Sequence, residues 1–352
     1  MSRALELAQR GLYTTTPNPR VGCVLARDGE IVGEGWHMRA GEAHAEVQAL
    51  RAAGARAQSA TAYVSLEPCA HLGRTPPCAD ALIAAKVGRV VAAMRDPDPR
   101  VSGRGLDALR AAGVAVECGL MQTEALALNA GFVSRITRGR PWVRMKIAAS
   151  LDGKTALLNG RSQWITGAEA RLDGHRWRAR ACAILTGVGT VKDDDPQLNV
   201  RDIDTPRQPV RVVVDSRCET PPSARVLGTG TLIAAVDDNE RGARLRSSGA
   251  ELMLLPDESG KVDLHALMRE LAARGMNELH VEAGFKLNGS LLASGLVDEL
   301  LVYLAPRVLG DAARGMFNLP ALSDLAGARE LELTEVSLLG GNIRVLAHVR
   351  SV

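Results

Sequence analysis

His44 and Glu46 stand two positions apart in the segment Gly41-Glu42-Ala43-His44-Ala45-Glu46. Two thiols follow, Cys69 in Leu66-Glu67-Pro68-Cys69 and, nine positions later, Cys78 in Pro77-Cys78. One imidazole and two thiolates give a zinc ion three protein ligands and leave the fourth position for water, which distinguishes a catalytic site from a closed structural one. Zinc lowers the pKa of such a water to about 7, so hydroxide is available at neutral pH. Glu46 can approach the same water without ligating the metal, take its proton and deliver it to a leaving amine. Singly, each residue is more often structural: a lone histidine near a helix start caps it or is solvated, and two cysteines nine apart match no common zinc spacing. The set carries the expectation.

The second half of the chain has no metal-like cluster. Its polar constellations are Lys146, Ser150-Leu151-Asp152-Gly153-Lys154, Ser162-Gln163-Trp164-Ile165-Thr166-Gly167, Gly187-Val188-Gly189-Thr190, Asp193-Asp194-Asp195-Pro196, Arg201 and Glu282-Ala283-Gly284. A glycine turn opening a helix after a strand, as at Gly284, presents backbone N–H groups and the positive end of the helix dipole to a phosphate. From the residues alone, a dinucleotide site and ordinary turn glycines are even alternatives. Gly103-Arg104-Gly105-Leu106-Asp107-Ala108 fits the loose dinucleotide fingerprint better, but Asp96-Pro97-Asp98-Pro99 separates it from the preceding strand. It reads as a helix-opening turn. Arg201 could hold a phosphate through its planar fork or simply balance Asp202. Trp164 could stack on a ring or fill a core.

These groups need a scaffold. Helical spacing at Ala4–Leu12 is followed by the breakers Thr14 to Pro19, and Val21–Ala26 and Ile31–Trp36 flank the hairpin turn Asp28-Gly29. His44–Ala53 reads as a helix stopped by Gly54. Ala62–Leu66, Arg89–Met94 and Val114–Cys118 read as strands, Cys78–Lys86 and Leu106–Ala112 as helices. This alternation predicts a sheet with helices on its faces. A helix over Glu124–Ile136 leads to the basic segment Thr137 to Pro141, the expected domain boundary. Beyond it, strands are predicted at Trp142–Ala149, Ala181–Thr186, Val210–Val214, Thr231–Val236, Glu251–Leu255, Glu278–Val281, Glu299–Leu304 and Arg344–His348. Helices are predicted at Ala168–Arg180, Leu264–Arg274 and Lys286–Ser294.

At 352 residues the chain is long enough for two domains, and 46% hydrophobic with 24% charged residues is ordinary for a globular protein. Forty-three basic against 40 acidic residues leave a net charge of +3, no footprint for nucleic acid. No uncharged apolar run reaches the ~18 residues that span a bilayer, and an acid interrupts the N-terminus where an export signal needs its apolar stretch. A cytoplasmic protein with reduced thiols is expected. Cys23, Cys118, Cys182 and Cys218 sit among apolar neighbours and read as small core residues.

His-x-Glu followed by Pro-Cys after a strand is similar to the zinc nucleobase-deaminase signature, although eight residues separate the cysteines here where that signature has two. The run Pro68-Cys69-Ala70-His71-Leu72-Gly73-Arg74-Thr75-Pro76-Pro77-Cys78, with Pro17-Asn18-Pro19-Arg20-Val21-Gly22 upstream, resembles the bifunctional deaminase–reductases of riboflavin biosynthesis. Met145–Gly153, Ser162–Thr166, Asp194-Asp195-Pro196 and Val281–Gly284 extend the resemblance beyond Pro141. It implies an α/β chain with a cytidine-deaminase-like domain over residues 1–140 and a dihydrofolate-reductase-like domain over 141–352. It implies zinc-dependent deamination of 2,5-diamino-6-ribosylamino-4(3H)-pyrimidinone 5′-phosphate, then NADPH reduction of the ribosyl group, in its open imine form, to ribityl.

By the matching positions, His44, Cys69 and Cys78 bind zinc and Glu46 shuttles the proton, while Asn18, His37, His71 and Arg74 contact the pyrimidine and its phosphoribosyl arm. The resemblance further implies NADP contacts at Ala148, Trp164, Thr190, Asp194, Ser216, Gly284, Phe285, Lys286, Leu287, Asn288, Gly289 and Ser290. It implies substrate contacts at Ser162, Arg178, Leu198, Arg201 and Glu282, with Lys146, Asp194 and Glu282 as proton donors or orienters beside the hydride. Phe285 stands where members of that family often carry proline. A homo-oligomer is expected, acting on a small molecule without nucleic acid or membrane.

Two other readings compete. One is a nucleoside or tRNA deaminase fused to an unrelated reductase, against which the His71–Pro77 insert and the match on both sides of Pro141 weigh. The other is a structural zinc knot in a binding module, which needs a fourth protein ligand, His37 or His71.

Overall fold

The computed structural model describes residues 1–70 and 76–350. The chain forms two compact units, Met1–Arg140 and Pro141–Val352.

The first unit contains α1 (Ser2–Gln9), β1 (Gly22–Arg27), β2 (Glu30–Trp36), α2 (Ala45–Ala53), β3 (Thr61–Val64), α3 (Cys78–Ala84), β4 (Arg89–Ala92), α4 (Arg104–Ala111), β5 (Ala115–Cys118), α5 (Gln122–Leu128) and α6 (Ala130–Arg138). Its sheet has the order β2-β1-β3-β4-β5, with β1 antiparallel to both neighbours and β3, β4 and β5 parallel. Asp28 and Gly29, at φ 53° and 82°, make the hairpin turn as its Asp-Gly pair demands. Ala45, Ala49 and Ala53, on one face of α2, pack into a core with Leu25, Val64, Leu82 and Val90. The alanines let α2 lie directly on β2, where a side chain at Gly35 would stand 2.3 Å from the Ala45 carbonyl. That close contact brings the first residues of α2, and His44 before them, to the end of the sheet.

The single helix expected over residues 124–136 is instead α5 and α6, broken at Asn129. The cause is tertiary: Arg20 N donates to Asn129 Oδ1 at 2.8 Å and Asn129 Nδ2 donates to the Arg20 carbonyl at 2.9 Å. Cys118 is exposed, not a core residue, because β5 is an edge strand; Cys23, Cys182 and Cys218 are buried.

The second unit contains β6 (Trp142–Ser150), β7 (Lys154–Ala156), α7 (Ala168–Arg180), β8 (Ala183–Gly187), α8 (Val188–Asp194), β9 (Val210–Val214), β10 (Thr231–Ala235), α9 (Glu240–Ser247), β11 (Ala250–Leu254), α10 (Leu264–Ala273), β12 (Glu278–Val281), α11 (Phe285–Ala293), β13 (Glu299–Ala305), β14 (Arg314–Gly315), β15 (Leu331–Leu339) and β16 (Asn342–Val349). Nine strands form one sheet, β11-β10-β9-β8-β12-β6-β13-β16-β15, parallel up to β13 and antiparallel beyond it. Strand periodicity divides the central strands cleanly. Val143, Met145, Ile147, Leu279, Val281, Leu300 and Val302 enter the main apolar core. Arg144, Lys146, Glu278 and His280 occupy the alternate positions, with His280 paired to Arg144 and Leu301 to Lys146 in the register.

Five elements were not expected from the sequence: α8 where a glycine loop was expected, α9, the two short strands β7 and β14, and the exposed strand β15. Among the described residues, no helix is long and apolar enough to cross a membrane.

Candidate active sites

In the first unit His44 is the extended residue just before α2, and Cys78 is the first residue of α3. Cys69 follows β3 on the strand-to-loop segment. The three donor atoms lie within 4.8 Å of one another. His44 Nδ1 is 3.2 Å from Cys78 Sγ and 3.6 Å from Cys69 Sγ, and Cys78 N donates to Cys69 Sγ at 3.3 Å. Ligands around one tetrahedral zinc ion, with bonds of about 2.0–2.3 Å, stand about 3.5 Å apart, so the group fits that ion. The Cys69 thiol is pulled below its ordinary range, first by the Cys78 hydrogen bond and then by His44, whereas Cys78 is pushed up by its contact with Cys69 and by burial.

Glu46 lies in the first turn of α2, 3% exposed, and its Oε2 has no hydrogen-bond partner. Burial, then the nearby Cys69 sulfur, pushes its carboxyl up to about 7. A buried carboxylate oxygen without a donor is costly unless something polar meets it there. His37 packs its ring edge-to-face on His44 at 5.3 Å. Its Nε2 meets Asn18 Nδ2 at 3.0 Å and its Nδ1 meets the Ala43 carbonyl at 3.3 Å. Both ring nitrogens are therefore engaged, which removes His37 as a fourth ligand for a closed zinc knot. His71 and Arg74 lie outside the described residues.

In the second unit a cavity of about 560 Å³ opens over the carboxyl ends of the central strands. Lys146 and Ala148 of β6 line it, with Ser162 and Trp164 from the loop before α7 and Arg178 from α7. Thr190 and Asp194 of α8, Leu198, Arg201, Glu282, Gly284, Phe285 and Asn288 complete the sequence-predicted residues brought together there. Ser216, Lys286, Leu287, Gly289 and Ser290 are not among its lining residues. Ser216 Oγ accepts from Val262 N, Leu287 packs on the main core, and a side chain at Gly289 would meet the Asn318 carbonyl at 2.1 Å. Ser290 Oγ donates to the Lys286 carbonyl, a local helix bond.

Two opposite charges in this cavity are paired with each other. Arg178 donates through Nε and Nη2 to the two Glu282 oxygens at 2.5 and 2.9 Å, a fork geometry. Burial pushes the Glu282 carboxyl up, but the Arg178 charge and hydrogen bonds outweigh it and hold the group well below the usual carboxylate range. Lys146 shows the opposite balance: burial lowers its pKa, only partly offset by Glu282. Burial also raises Asp194, against the hydrogen bond it accepts from Ser162 at 3.2 Å.

Residues 141–345 match the family profile of the RibD C-terminal domain, and residues 1–94 match the cytidine and deoxycytidylate deaminase zinc-binding region. The riboflavin biosynthesis protein RibD of Escherichia coli K12 is 50% identical over 97% of this chain and 96% of that protein. The chain belongs to the RibD family. A RibD structure from Acinetobacter baumannii superposes with a TM-score of 0.92 at 43% identity, covering 99% of this chain and 98% of that one. A Thermotoga maritima structure, described as a diaminohydroxyphosphoribosylaminopyrimidine deaminase/5-amino-6-(5-phosphoribosylamino)uracil reductase, does so at 0.88 and 31%, covering 99% and 97%. The RibD fold thus joins a cytidine-deaminase-like unit to a dihydrofolate-reductase-like one, and the alternative of an unrelated reductase is not favoured.

Four cavity residues on α7 were not expected from the sequence, Ala170, Arg171, Gly174 and His175, and two of them are basic. Arg171 and His175 lie on the same helical face as Arg178, at spacings of four and three residues. A basic stripe on a helix of otherwise mixed character was the available signal. His175 is 5% exposed, accepts from Arg201 N at 3.3 Å through Nδ1, and so anchors the loop that carries Arg201.

Proposed function

We infer that this RibD-family chain hydrolyses the amine of 2,5-diamino-6-ribosylamino-4(3H)-pyrimidinone 5′-phosphate and then reduces the ribosyl group with NADPH. Residues 1–140 carry the deaminase and 141–352 the reductase. The observation that carries this reading is the convergence of His44, Cys69 and Cys78 beside a buried Glu46 oxygen without a partner. That is the set of groups a hydrolytic deamination requires.

His44, Cys69 and Cys78 hold zinc, whose Lewis acidity brings the pKa of water to about 7. Glu46 Oε2 accepts a proton from the attacking water and gives it to the departing amine nitrogen, so that water enters and ammonia leaves. A carboxyl poised near neutrality suits both transfers. Asn18 and His37, held to each other, orient the pyrimidine edge, and the basic groups His71 and Arg74 serve the phosphoribosyl arm.

In the second unit NADPH supplies the hydride. Lys146 Nζ gives a proton to the imine nitrogen as the adjacent carbon is reduced, and its lowered pKa eases that transfer. Glu282 stays ionised against Arg178 and orients rather than donates. Arg201 would bind the substrate phosphate, and the backbone N–H groups at the helix start after Gly284 would hold a cofactor phosphate.

The chain works as a homo-oligomer in the cytoplasm, on small molecules and not on nucleic acid. The exposed strand β15, with Leu331, Leu333, Val336 and Leu338 open to solvent, supports association, since such an edge is otherwise a liability. The unpaired thiolates that the metal needs support a reducing compartment.

Incubating zinc-loaded protein with the phosphoribosyl diaminopyrimidine, with and without NADPH, tests the reading by mass spectrometry. Ammonia loss alone, then a gain of two hydrogens when NADPH is added, is the expected result. Release of ammonia from cytidine or adenosine, with none from the phosphoribosyl substrate, overturns it.

A further inference from the structure

Glu67 is a buried carboxylate that the chemistry above leaves without a task. It is 3% exposed, two residues before Cys69. Its Oε2 accepts from Gly103 N at 2.9 Å and Asp96 N at 3.2 Å; its Oε1 accepts from Gly105 N at 3.0 Å and Leu106 N at 3.4 Å. Four backbone N–H groups, two of them in the first turn of α4, converge on one side chain. Its own backbone N donates to the Met94 carbonyl at 2.9 Å, two residues past β4.

The next residue is fixed as well. A side chain at Gly105 would stand 1.9 Å from the Pro68 carbonyl, so α4 lies against that peptide with no room for movement. Pro68 has a ring-locked φ and no N–H to lose. Cys69 then presents Sγ to His44 and Cys78, while its carbonyl accepts from Ala79 N at 3.2 Å. The Gly103-Arg104-Gly105 turn, which resembles a dinucleotide loop in sequence, thus wraps an internal carboxylate instead of a cofactor phosphate.

We propose that Glu67 is the positioning residue of the metal centre: by gathering the amides of Asp96, Gly103, Gly105 and Leu106 it sets where Cys69 Sγ stands relative to His44 and Cys78. This rests on the reading of those three residues as zinc ligands. Groups that hold a metal's ligands in place typically change metal affinity about 10–100-fold when removed. The coupling is reciprocal, so the bound metal must also tighten the amides around Glu67.

The test uses the full chain. Metal-free wild type and Glu67→Gln are titrated with zinc against a chelating dye, then loaded with cobalt(II) for absorption spectra. We expect Glu67→Gln to bind zinc about 10–100-fold more weakly, with altered thiolate-to-cobalt bands, while hydride transfer stays parental. Parental zinc affinity together with a parental cobalt spectrum overturns the proposal. If wild type itself binds no zinc, the ligand assignment has failed instead. Should Glu67→Gln not fold, hydrogen exchange on wild type decides. Removing zinc must speed exchange at Gly103, Gly105 and Leu106 more than at Val90 and Val91 of β4, and equal responses overturn the proposal.

Discussion

Glu46 is a buried carboxyl and Glu282 a half-buried one, each at the centre of a site, yet their surroundings oppose each other. Glu46 has an oxygen with no donor and a carboxyl pushed up to about 7 by burial. Glu282 is gripped by both arms of Arg178 and kept ionised well below its ordinary range. A carboxyl near neutrality exchanges protons, whereas one locked to a guanidinium serves as a fixed charge. The first unit leaves its acid without a partner, and the second supplies the partner itself, which is why the proposed proton donor there is Lys146.

That contrast breaks most visibly at the metal. Cys69→Ala is expected to lose zinc by elemental analysis and drop ammonia release to background, while NADPH oxidation on the deaminated intermediate persists. Unchanged zinc content refutes the ligand assignment. Next in size, Glu46→Gln should keep its zinc yet lose about 10²–10⁴-fold in deamination, the usual worth of a positioned acid–base group. Parental ammonia release from that variant would mean the unpaired oxygen has no part in proton transfer.

In the second unit, Lys146→Met should lower hydride transfer about 10²-fold and leave deamination intact, measured by stopped-flow NADPH fluorescence. The pH dependence sharpens the comparison further. Burial favours neutral Lys146, and a donor must be protonated, so the reductive rate should decline as pH rises through a value below the ordinary lysine range. Lys146→Arg should move that decline upward; an unmoved profile assigns the proton to another group.

The smallest expected effect is on stability. Burial first, then the charges of Arg178 and Arg201, lower the His175 imidazole from 6.5 to about 4. The folded chain therefore disfavours its protonation. The stabilising contribution is complete above pH 6.5 and lost as pH falls toward about 4. Wild type should lose more melting temperature between pH 7 and pH 5 than His175→Gln does, by calorimetry. Equal losses place the acid sensitivity elsewhere.

The cluster of His44, Cys69 and Cys78 was legible because zinc chemistry demands particular residue types, and each of the three stands beside a strong boundary signal: a helix start, a Pro-Cys turn and a second Pro-Cys turn. The strands Val210–Val214 and Glu278–Val281 were equally clear, being short runs between turn residues. The cavity of the second unit was not legible from spacing. Lys146, Arg178 and Glu282 are separated by long stretches of chain and meet only because β12 lies between β8 and β6. Their assignment came through the family resemblance. The break at Asn129 was hidden for a related reason, since its partner Arg20 lies more than a hundred residues away. Strand β15 was not expected although Leu331-Glu332-Leu333-Thr334 alternates apolar and polar residues as a strand does; in the structure those leucines face solvent.

Strand β12 has one further consequence. Leu279 and Val281 fill the core on one side, while Glu278, His280 and the adjoining Glu282 furnish the polar row on the other. Deleting or inserting a single residue there would exchange the two sets, sending carboxylates among leucines and aliphatic groups toward the cavity side. Length changes within these few residues would abolish folding and chemistry in one stroke, so natural variation in this stretch must proceed by replacement alone.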